Sequence, residues 1–511
     1  MELPPWVARL IIVLATALFL KTILSRGRRA YNLPPGPKPW PIIGNLNLIG
    51  SLPHRSIHAL SKKYGPLMQL QFGSVPVVVG SSEEMAKFFL KTHDAAFADR
   101  PRFAVGKYSA YEYSDLLLAP YGPYWRQARR ICAAELFSAK RLESLEHIRV
   151  RNEEVRVLLQ NLNRMSGCVV RLKDHLQMLM LGVISRMVLG KKYVGEGTSP
   201  SSEEFLGLVK EFFVLNGVYN IGDFVPWLDW LDLQGYVRRM KRMGKMLDRF
   251  LEPILQEHDE QRRLEGDAFV ATDMLDVLLQ LADDPNLEVP LSRNNVKAIT
   301  QDLLFAATDT STMTVEWAMS EFLKNPEILA KATEELDNVI GRDRLVAETD
   351  LPHLPYIEAV LKETMRLHLV APLLAPHLSR EDTSINGYTI PAGTIALVNV
   401  WAIARDPVLW DAPEEFRPER FVGSKIDVKG QHFELLSFGS GRRLCPGYGL
   451  GLKLIHLSVA NLLHCFAWKL PKGVTKEELN MEEIWLFATP RKVPLKAVVE
   501  PRLPACLYTD A

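Results

Sequence analysis

Phe438-Gly-Ser-Gly-Arg-Arg-Leu-Cys445-Pro-Gly447 sets one cysteine in a loop of three glycines, a basic pair and a prolyl-glycyl turn, close to the C-terminus of a 511-residue chain. A cysteine becomes a metal ligand as the thiolate, which needs a metal, a nearby cation or a helix N-terminus to lower its pKa. Gly439, Gly441 and Gly447 can adopt positive φ and leave their N–H groups uncovered, free to point at the sulfur. Pro446 suits the first position of a helix. That helix would continue through Leu450, Leu454 and Leu457, apolar at steps of four and three, so Cys445 is expected where a helix dipole favours negative charge. A lone cysteine is ordinarily a small buried hydrophobe. This loop points instead to a sulfur held rigidly against a metal.

Working outward, residues 294–324 read as one long helix. Val296, Ile299, Leu303, Ala307, Thr310, Met313 and Trp317 recur at three- and four-residue steps, and Asn325-Pro326 stops the run. Inside it, Ala306-Ala307-Thr308-Asp309-Thr310 carries a threonine whose hydroxyl can bond locally against the helix ladder and open a groove. Asp309 can feed protons towards that groove. Glu363 and Arg366, three apart, share a helix face, as do Trp125 and Arg129, four apart. An indole N–H and a guanidinium on one side are natural partners for a carboxylate.

The pattern Phe-x-x-Gly-x-Arg-x-Cys-x-Gly, met by Phe438, Gly441, Arg443, Cys445 and Gly447, resembles the heme-binding loop of the cytochromes P-450. The resemblance implies heme b, with Cys445 as axial iron ligand. Lys362-Glu363-Thr-Met-Arg366 matches the family's Glu-x-x-Arg helix. Phe416-Arg-Pro-Glu-Arg420-Phe421 matches the segment whose arginine completes a structural Glu-Arg-Arg cluster. Trp125-Arg-Gln-Ala-Arg129 resembles the helix facing a heme propionate, His377 falls where many members place another propionate donor, and Arg443 would be a fourth. Residues 306–310 resemble the oxygen-binding segment, with Thr310 and Asp309 as the implied proton relay. The family usually has glycine where this chain has Ala307, whose methyl narrows the groove and strengthens the helix. The implied chemistry is reductive activation of O₂, in which thiolate donation favours O–O cleavage.

The resemblance extends from about Pro34 to Pro494 and implies one mainly α domain with a small β portion. Composition agrees: 47% hydrophobic, 24% charged, with Lys+Arg 61 against Asp+Glu 60, a globular balance that gives no reason to expect nucleic acid as partner. Five scattered cysteines, without a Cys-x-x-Cys pair, exclude a disulfide framework and suit reducing cytosol.

The N-terminus divides in two. Residues 1–29 read as a membrane anchor with a basic stop: Leu10 to Leu20 is nearly all apolar, and extension to Leu24 reaches the ~20 residues that span a bilayer. Lys21, Arg26, Arg28 and Arg29 place the following chain in the cytoplasm. Residues 30–45, with Leu33-Pro-Pro-Gly-Pro-Lys-Pro-Trp-Pro41, read as a stiff hinge before a catalytic domain at 46–511. By resemblance, anchor and hinge imply a single-pass protein on the cytosolic face of the endoplasmic reticulum. Trp227 and Trp230 offer a second membrane contact.

The chain lacks a Gly-x-Gly-x-x-Gly turn for nicotinamide or flavin. Electrons are therefore expected from NADPH-cytochrome P-450 reductase, steered by Arg126, Arg129, Arg130, Lys140 and Arg141. Residues 101–124, Phe305 to Thr310, Val370 to Leu374 and Trp485 to Thr489 occupy the family's pocket-lining positions. They are aliphatic and aromatic with few fixed polar groups, which suits a small apolar substrate. Residues 220–235 and the opening through Gly50 resemble the plant A-type branch containing grass homoterpene synthases. These oxidatively cleave acyclic tertiary terpene alcohols such as nerolidol and geranyllinalool. Flavonoid 3′-hydroxylases share much of the pattern. A heme protein that isomerises or binds without activating O₂ is the reading that Ala307 alone would favour.

Overall fold

The computed structural model describes residues 31–192 and 202–509, together with Pro4 and Thr16. The anchor expected over residues 1–29 therefore lies outside the described residues. Within them no helix is long and apolar enough to cross a membrane.

Eight helices frame the interior: α1 (Pro123–Ile131), α2 (Leu145–Arg164), α3 (Leu172–Leu189), α4 (Ser202–Gly217), α5 (Tyr236–Glu265), α6 (Arg293–Lys324), α7 (Pro355–Leu367) and α8 (Tyr448–Cys465). The middle of the bundle is α6. The Ser292 hydroxyl accepts from Asn295 N at 3.2 Å while Asn295 Oδ1 accepts from Ser292 N at 2.8 Å, a reciprocal cap that satisfies two otherwise orphaned donors. The helix ends where Asn325 turns out of helical geometry before Pro326. Helices α3, α4, α5, α7 and α8 all pack against it, so its apolar residues bury on every side. Each fully buried Leu, Val or Phe contributes about 1.5–3 kcal/mol.

Among the described residues nine short strands make three sheets: β1 (Leu67–Phe72), β2 (Val75–Gly80), β3 (Val169–Arg171), β4 (His377–Leu378), β5 (Thr383–Ile385), β6 (Tyr388–Ile390), β7 (Ile395–Val398), β8 (Phe466–Lys469) and β9 (Lys496–Pro501). The largest has the order β1-β2-β7-β4, antiparallel except for β2 and β7, which pair in parallel from Val77 opposite Ile395 to Gly80 opposite Val398. The others are β3-β9-β8 and β5-β6.

The proline-rich segment lies along the edge of this sheet. Pro35 O accepts from Gln69 N at 2.9 Å. A Cβ on Gly36 would stand 1.9 Å from Gln69 O, so only glycine allows that approach. At the β1–β2 turn, Gly73 N donates to Ile43 O at 3.0 Å and Ser74 N to Phe224 O at 2.8 Å. One tight turn thus joins the hinge to the aromatic segment around Trp227.

Candidate active site

The cysteine loop closes on itself through Cys445 N, which donates to Phe438 O at 3.0 Å. Gly439 and Gly441 take positive φ (73° and 67°) as their spacing implies. A Cβ on Gly441 would stand 2.0 Å from Leu90 O. Gly447 departs from expectation: at φ −91° it is the N-cap of α8, and the helix opens at Tyr448, two residues beyond Pro446. The proline therefore stiffens the approach to the helix instead of starting it. Of the three glycines expected to point at the sulfur only Gly447 does, joined by Tyr448, and both N–H groups act to lower the thiol's pKa. Burial nevertheless outweighs these bonds and the Arg129 charge and raises the thiol's pKa, so a thiolate here needs a cation bound to it.

Cys445 is only half-buried, although burial dominates its electrostatics. A group this deep in the fold that keeps accessible surface borders an internal space. Helix α6 runs beside the same loop. From Val296 to Leu323 every residue of that helix is buried except Asp302, Ala306, Ala307 and Thr310. A Cβ on Gly451, in the first turn of α8, would lie 3.8 Å from the Phe438 ring and 3.9 Å from Ser311 Oγ. The cysteine loop and the Thr310 region are thus brought together across one slot.

Helix α6 runs unbroken through this region, contrary to the groove expected there. Thr310 Oγ1 donates to Ala306 O at 2.6 Å, as Thr308, Thr312 and Thr314 also do to carbonyls one turn back. The hydroxyls add to the ladder without displacing it, and Ala307 favours the helix more than glycine would. Asp309 turns away from the slot: it is buried, and its Oδ1 accepts from Gln177 Nε2 of α3 at 2.8 Å.

A cationic rim borders the slot. Trp125 Nε1 donates to Leu116 O at 3.0 Å. Arg443 donates to Ala98 O, Leu116 O and Ala119 O at 2.8, 3.1 and 2.7 Å, with its guanidinium 4.1 Å over the Trp125 ring. His377 is buried with Nδ1 2.8 Å from Phe97 O. Burial and the Arg100 and Arg443 charges hold its pKa well below the usual histidine value, so it is neutral. Trp125, Arg443 and His377, expected around a propionate, are held by backbone carbonyls: Leu116 O for Trp125, Ala98, Leu116 and Ala119 O for Arg443, and Phe97 O for His377. Arg129 alone of the four has no hydrogen bond or ion pair among the described residues. Burial lowers its pKa, and Cys445 lies close enough to act the other way. Of the five basic residues assigned to a docking surface, Arg129 is therefore the one that turns inward.

Arg100 went unnoticed in the sequence. It is buried and donates to Leu117 O, Ala375 O and Pro376 O at 3.0, 2.9 and 2.7 Å. Its repulsion from Arg443, and that of Arg443 from Arg129, makes this rim a place for anionic groups. A single arginine before a proline has no periodic signal, so only the folded chain could reveal it.

Behind the slot, the Glu363 carboxylate meets Arg366 Nε at 2.7 Å and Nη2 at 2.8 Å, Arg420 Nε at 3.0 Å and Arg417 N at 2.8 Å. Arg366 spends its remaining donors on Ala404 O, Pro413 O and Glu415 O. The cluster inferred from the two motifs is formed, with both oxygens of a wholly buried carboxylate hydrogen-bonded, three donors on one and one on the other.

The substrate-side segments also converge. Thr489 N donates to Val370 O at 2.9 Å and Phe487 N to Phe213 O of α4 at 2.8 Å. Trp317 Nε1 donates to Thr489 O at 3.2 Å, and its ring stacks on His368 at 4.0 Å. Leu374, at φ 52°, reaches back to the cysteine loop near Gly439.

A thiol backed by two N–H groups, facing an interior slot under a long helix and rimmed by buried guanidiniums, is the donor set of a heme-thiolate center: sulfur for iron, cations for the propionates. The chain belongs to the cytochrome P450 family, whose sequence model matches residues 34–496. It is a heme-dependent monooxygenase, and members of the family draw electrons from a partner.

Trimethyltridecatetraene synthase of Zea mays is 51% identical, covering 98% of this chain and 94% of its own length. Dimethylnonatriene synthase of Zea mays is 50% identical over 98% of both chains, and a flavonoid 3′-monooxygenase of Arabidopsis thaliana 46% identical over 98% of both. A zebrafish cytochrome P450 solved with abiraterone superposes with TM-score 0.74 at 26% identity, covering 89% of this chain and all of its own.

Proposed function

We propose that this monooxygenase oxidatively cleaves acyclic tertiary terpene alcohols of the nerolidol and geranyllinalool type to homoterpenes. The observation that carries this reading is the near-full-length identity to the two maize synthases, higher than that to the flavonoid 3′-monooxygenase. The apolar walls from Val370, Leu374, Leu486 and Phe487 support it, since they would exclude water around a hydrocarbon chain.

In this reading Cys445 ligates the heme iron and Phe438 packs beside the cysteine loop. Arg129, without another partner among the described residues, would hold a propionate. Trp125, Arg443 and His377 surround it from positions fixed by backbone carbonyls. Bound heme supplies oxygen activation, which thiolate donation promotes. Thr310 holds a proton at Oγ1 on the slot wall, and Asp309 is the proposed proton source beside it, a role that requires its carboxyl to turn from Gln177 towards the slot.

NADPH-cytochrome P-450 reductase is the proposed electron donor, docking on Arg126, Arg130, Lys140 and Arg141. We place the protein on the cytosolic face of the endoplasmic reticulum, anchored by residues 1–29 and hinged by 30–45. Exposed Trp40, Trp227, Trp230 and Leu233, on either side of the Gly73–Ser74 turn, would touch the bilayer.

Microsomes holding the protein and a reductase, given nerolidol, geranyllinalool and naringenin in parallel, test the reading. Release of homoterpene supports it. Conversion of naringenin alone to the B-ring hydroxylated product replaces it with the flavonoid reading.

A further inference from the structure

Residues 115–119 meet opposite charges on their two sides. On the amide side, Leu116 N donates to Asp302 Oδ2 at 2.7 Å and Leu118 N to the Asp115 carboxyl at 3.2 Å, while the Leu117 N–H also bonds to Asp302. On the carbonyl side, Leu116 O accepts from Trp125 and Arg443, Leu117 O from Arg100, and Ala119 O from Arg443. Three consecutive amides thus rest on two interior carboxyls, and carbonyls of the same stretch hold the cations of the rim.

Two carboxyls serving successive amides stand close enough to repel, and in an interior one shared proton relieves that repulsion. Asp302 keeps part of its surface, yet burial is the leading cause that raises both groups, followed for Asp115 by the Asp302 charge. The groups facing the pair from α1 do not titrate near neutrality. The Tyr124 hydroxyl donates to Ser114 O, burial raises its pKa, and burial pushes the Cys132 thiol just beyond α1 up to about 12. From α6, Asn295 bonds to Tyr124 and is uncharged. Arg443 and Arg100 both feel the Asp115 charge, as they do that of Asp99, whose Oδ1 accepts from Arg100 N and Tyr121 N.

We propose that Asp115 and Asp302 hold one proton between them and position the cationic rim for heme, so that heme entry draws this proton from solvent onto the pair and its release loosens heme. The pair and the two propionates are anions that compete for the same guanidiniums. Propionates on Arg129 and Arg443 weaken the pull of those cations on the carboxylates, which favours the protonated pair. By reciprocity the protonated pair favours bound heme. Both residues act through the peptide groups of residues 116–119 and are positioning residues. The inference rests on the reading of Arg129 and Arg443 as the propionate holders.

The test follows heme transfer from the full-length, heme-loaded protein to excess apomyoglobin between pH 6 and 8.5. The wild-type rate should rise about tenfold over that range, the equivalent of one pKa unit of coupling. Asp302→Asn keeps an acceptor for Leu116 N and carries no charge at any pH, and Asp115→Asn does the same towards Leu118 N. In each variant the rate should stay near the wild-type value at pH 6 throughout. The infrared spectrum of the wild type should show a protonated carboxyl stretch at pH 6 that fades by pH 8.5 and is missing from both variants. Arg129→Ala should lose heme faster at every pH.

A wild-type rate independent of pH overturns the proposal. So does an Asn variant that keeps the wild-type pH dependence, or one that loses heme faster by the same factor at every pH, the mark of a purely structural role. Should Asp302→Asn not fold, Asp115→Asn decides by the same criteria. Should neither fold, the wild-type carboxyl stretch decides, and its absence at pH 6 counts against the pair. If Arg129→Ala holds heme as firmly as the wild type, the rim reading falls and this inference with it.

Discussion

Gln177 Nε2 donates to Asp309 Oδ1 at 2.8 Å, fastening α3 to α6 one residue before Thr310. The bond fixes a buried carboxylate directly behind the slot wall. Gln177→Leu should cost about 1–3 kcal/mol by leaving that carboxylate short of a partner and should lower product formed per NADPH consumed. Melting temperature and that ratio check it together. A variant with wild-type values for both would separate Asp309 from the proton supply.

Cys445→His should abolish monooxygenation, because imidazole lacks the thiolate's electron donation. In the reduced protein under carbon monoxide the red-shifted thiolate Soret band should disappear even where heme is retained. A variant oxidising substrate at the normal rate would sink the assignment.

Arg129 and Trp125 should respond differently. Arg129 has no partner among the described residues, so Arg129→Ala should leave the heat stability of heme-free protein nearly unchanged while heme retention falls. Trp125→Phe removes the bond to Leu116 O and weakens the ring's contact with Arg443. It should destabilise the heme-free protein by about 1–2 kcal/mol. Denaturant titration of each, alongside heme transfer to apomyoglobin, distinguishes the two.

Glu363→Ala strands two guanidiniums in an interior that excludes water. The expected cost is about 3–5 kcal/mol, enough to deplete folded protein at growth temperature. Arg366→Lys should fall short of rescue, because an ammonium cannot repeat the forked contact to Glu363 and the three carbonyls. Folded yield and urea midpoint report both, and a stable Glu363→Ala protein would contradict this account.

Burial raises the Asp302 carboxyl to about 7, and burial followed by the Asp302 charge raises that of Asp115. A carboxyl with a raised folded pKa holds its proton in the native state where the unfolded chain has released it. Its stabilising effect is whole below the unfolded value of about 4 and is lost as pH rises to about 7. Asp302→Asn should therefore flatten the fall in melting temperature between pH 4 and 7. An unchanged slope would mean that the buried pair does not titrate there.

The long central helix, its stop at Asn325-Pro326 and the pairing of Glu363 with Arg366 were legible because each rests on spacing along one helix, which sequence records directly. The sites of Cys445, Gly439 and Gly441 were legible for a related reason: a tight loop's backbone demands are local. Even there the helix start shifted, since Gly447 is the cap and Tyr448, not Pro446, the first helical residue. The inward donors were harder. Trp125, Arg443 and His377, expected as propionate donors, hydrogen-bond carbonyls of residues 97, 98, 116 and 119, partners set by how distant loops fold back and not by spacing along one element.

The order of residues alone thus determined a sulfur-bearing loop, a helix to stand over it and a family to which both belong. Which face of that helix looks into the slot, that Asp309 turns from it to Gln177 while Asp302 ties to the amides of Leu116 and Leu117, and that Arg100 joins the rim, only the tertiary structure decided. Helical period fixes angles about an axis. The direction in which that axis is packed depends on contacts between residues hundreds of positions apart.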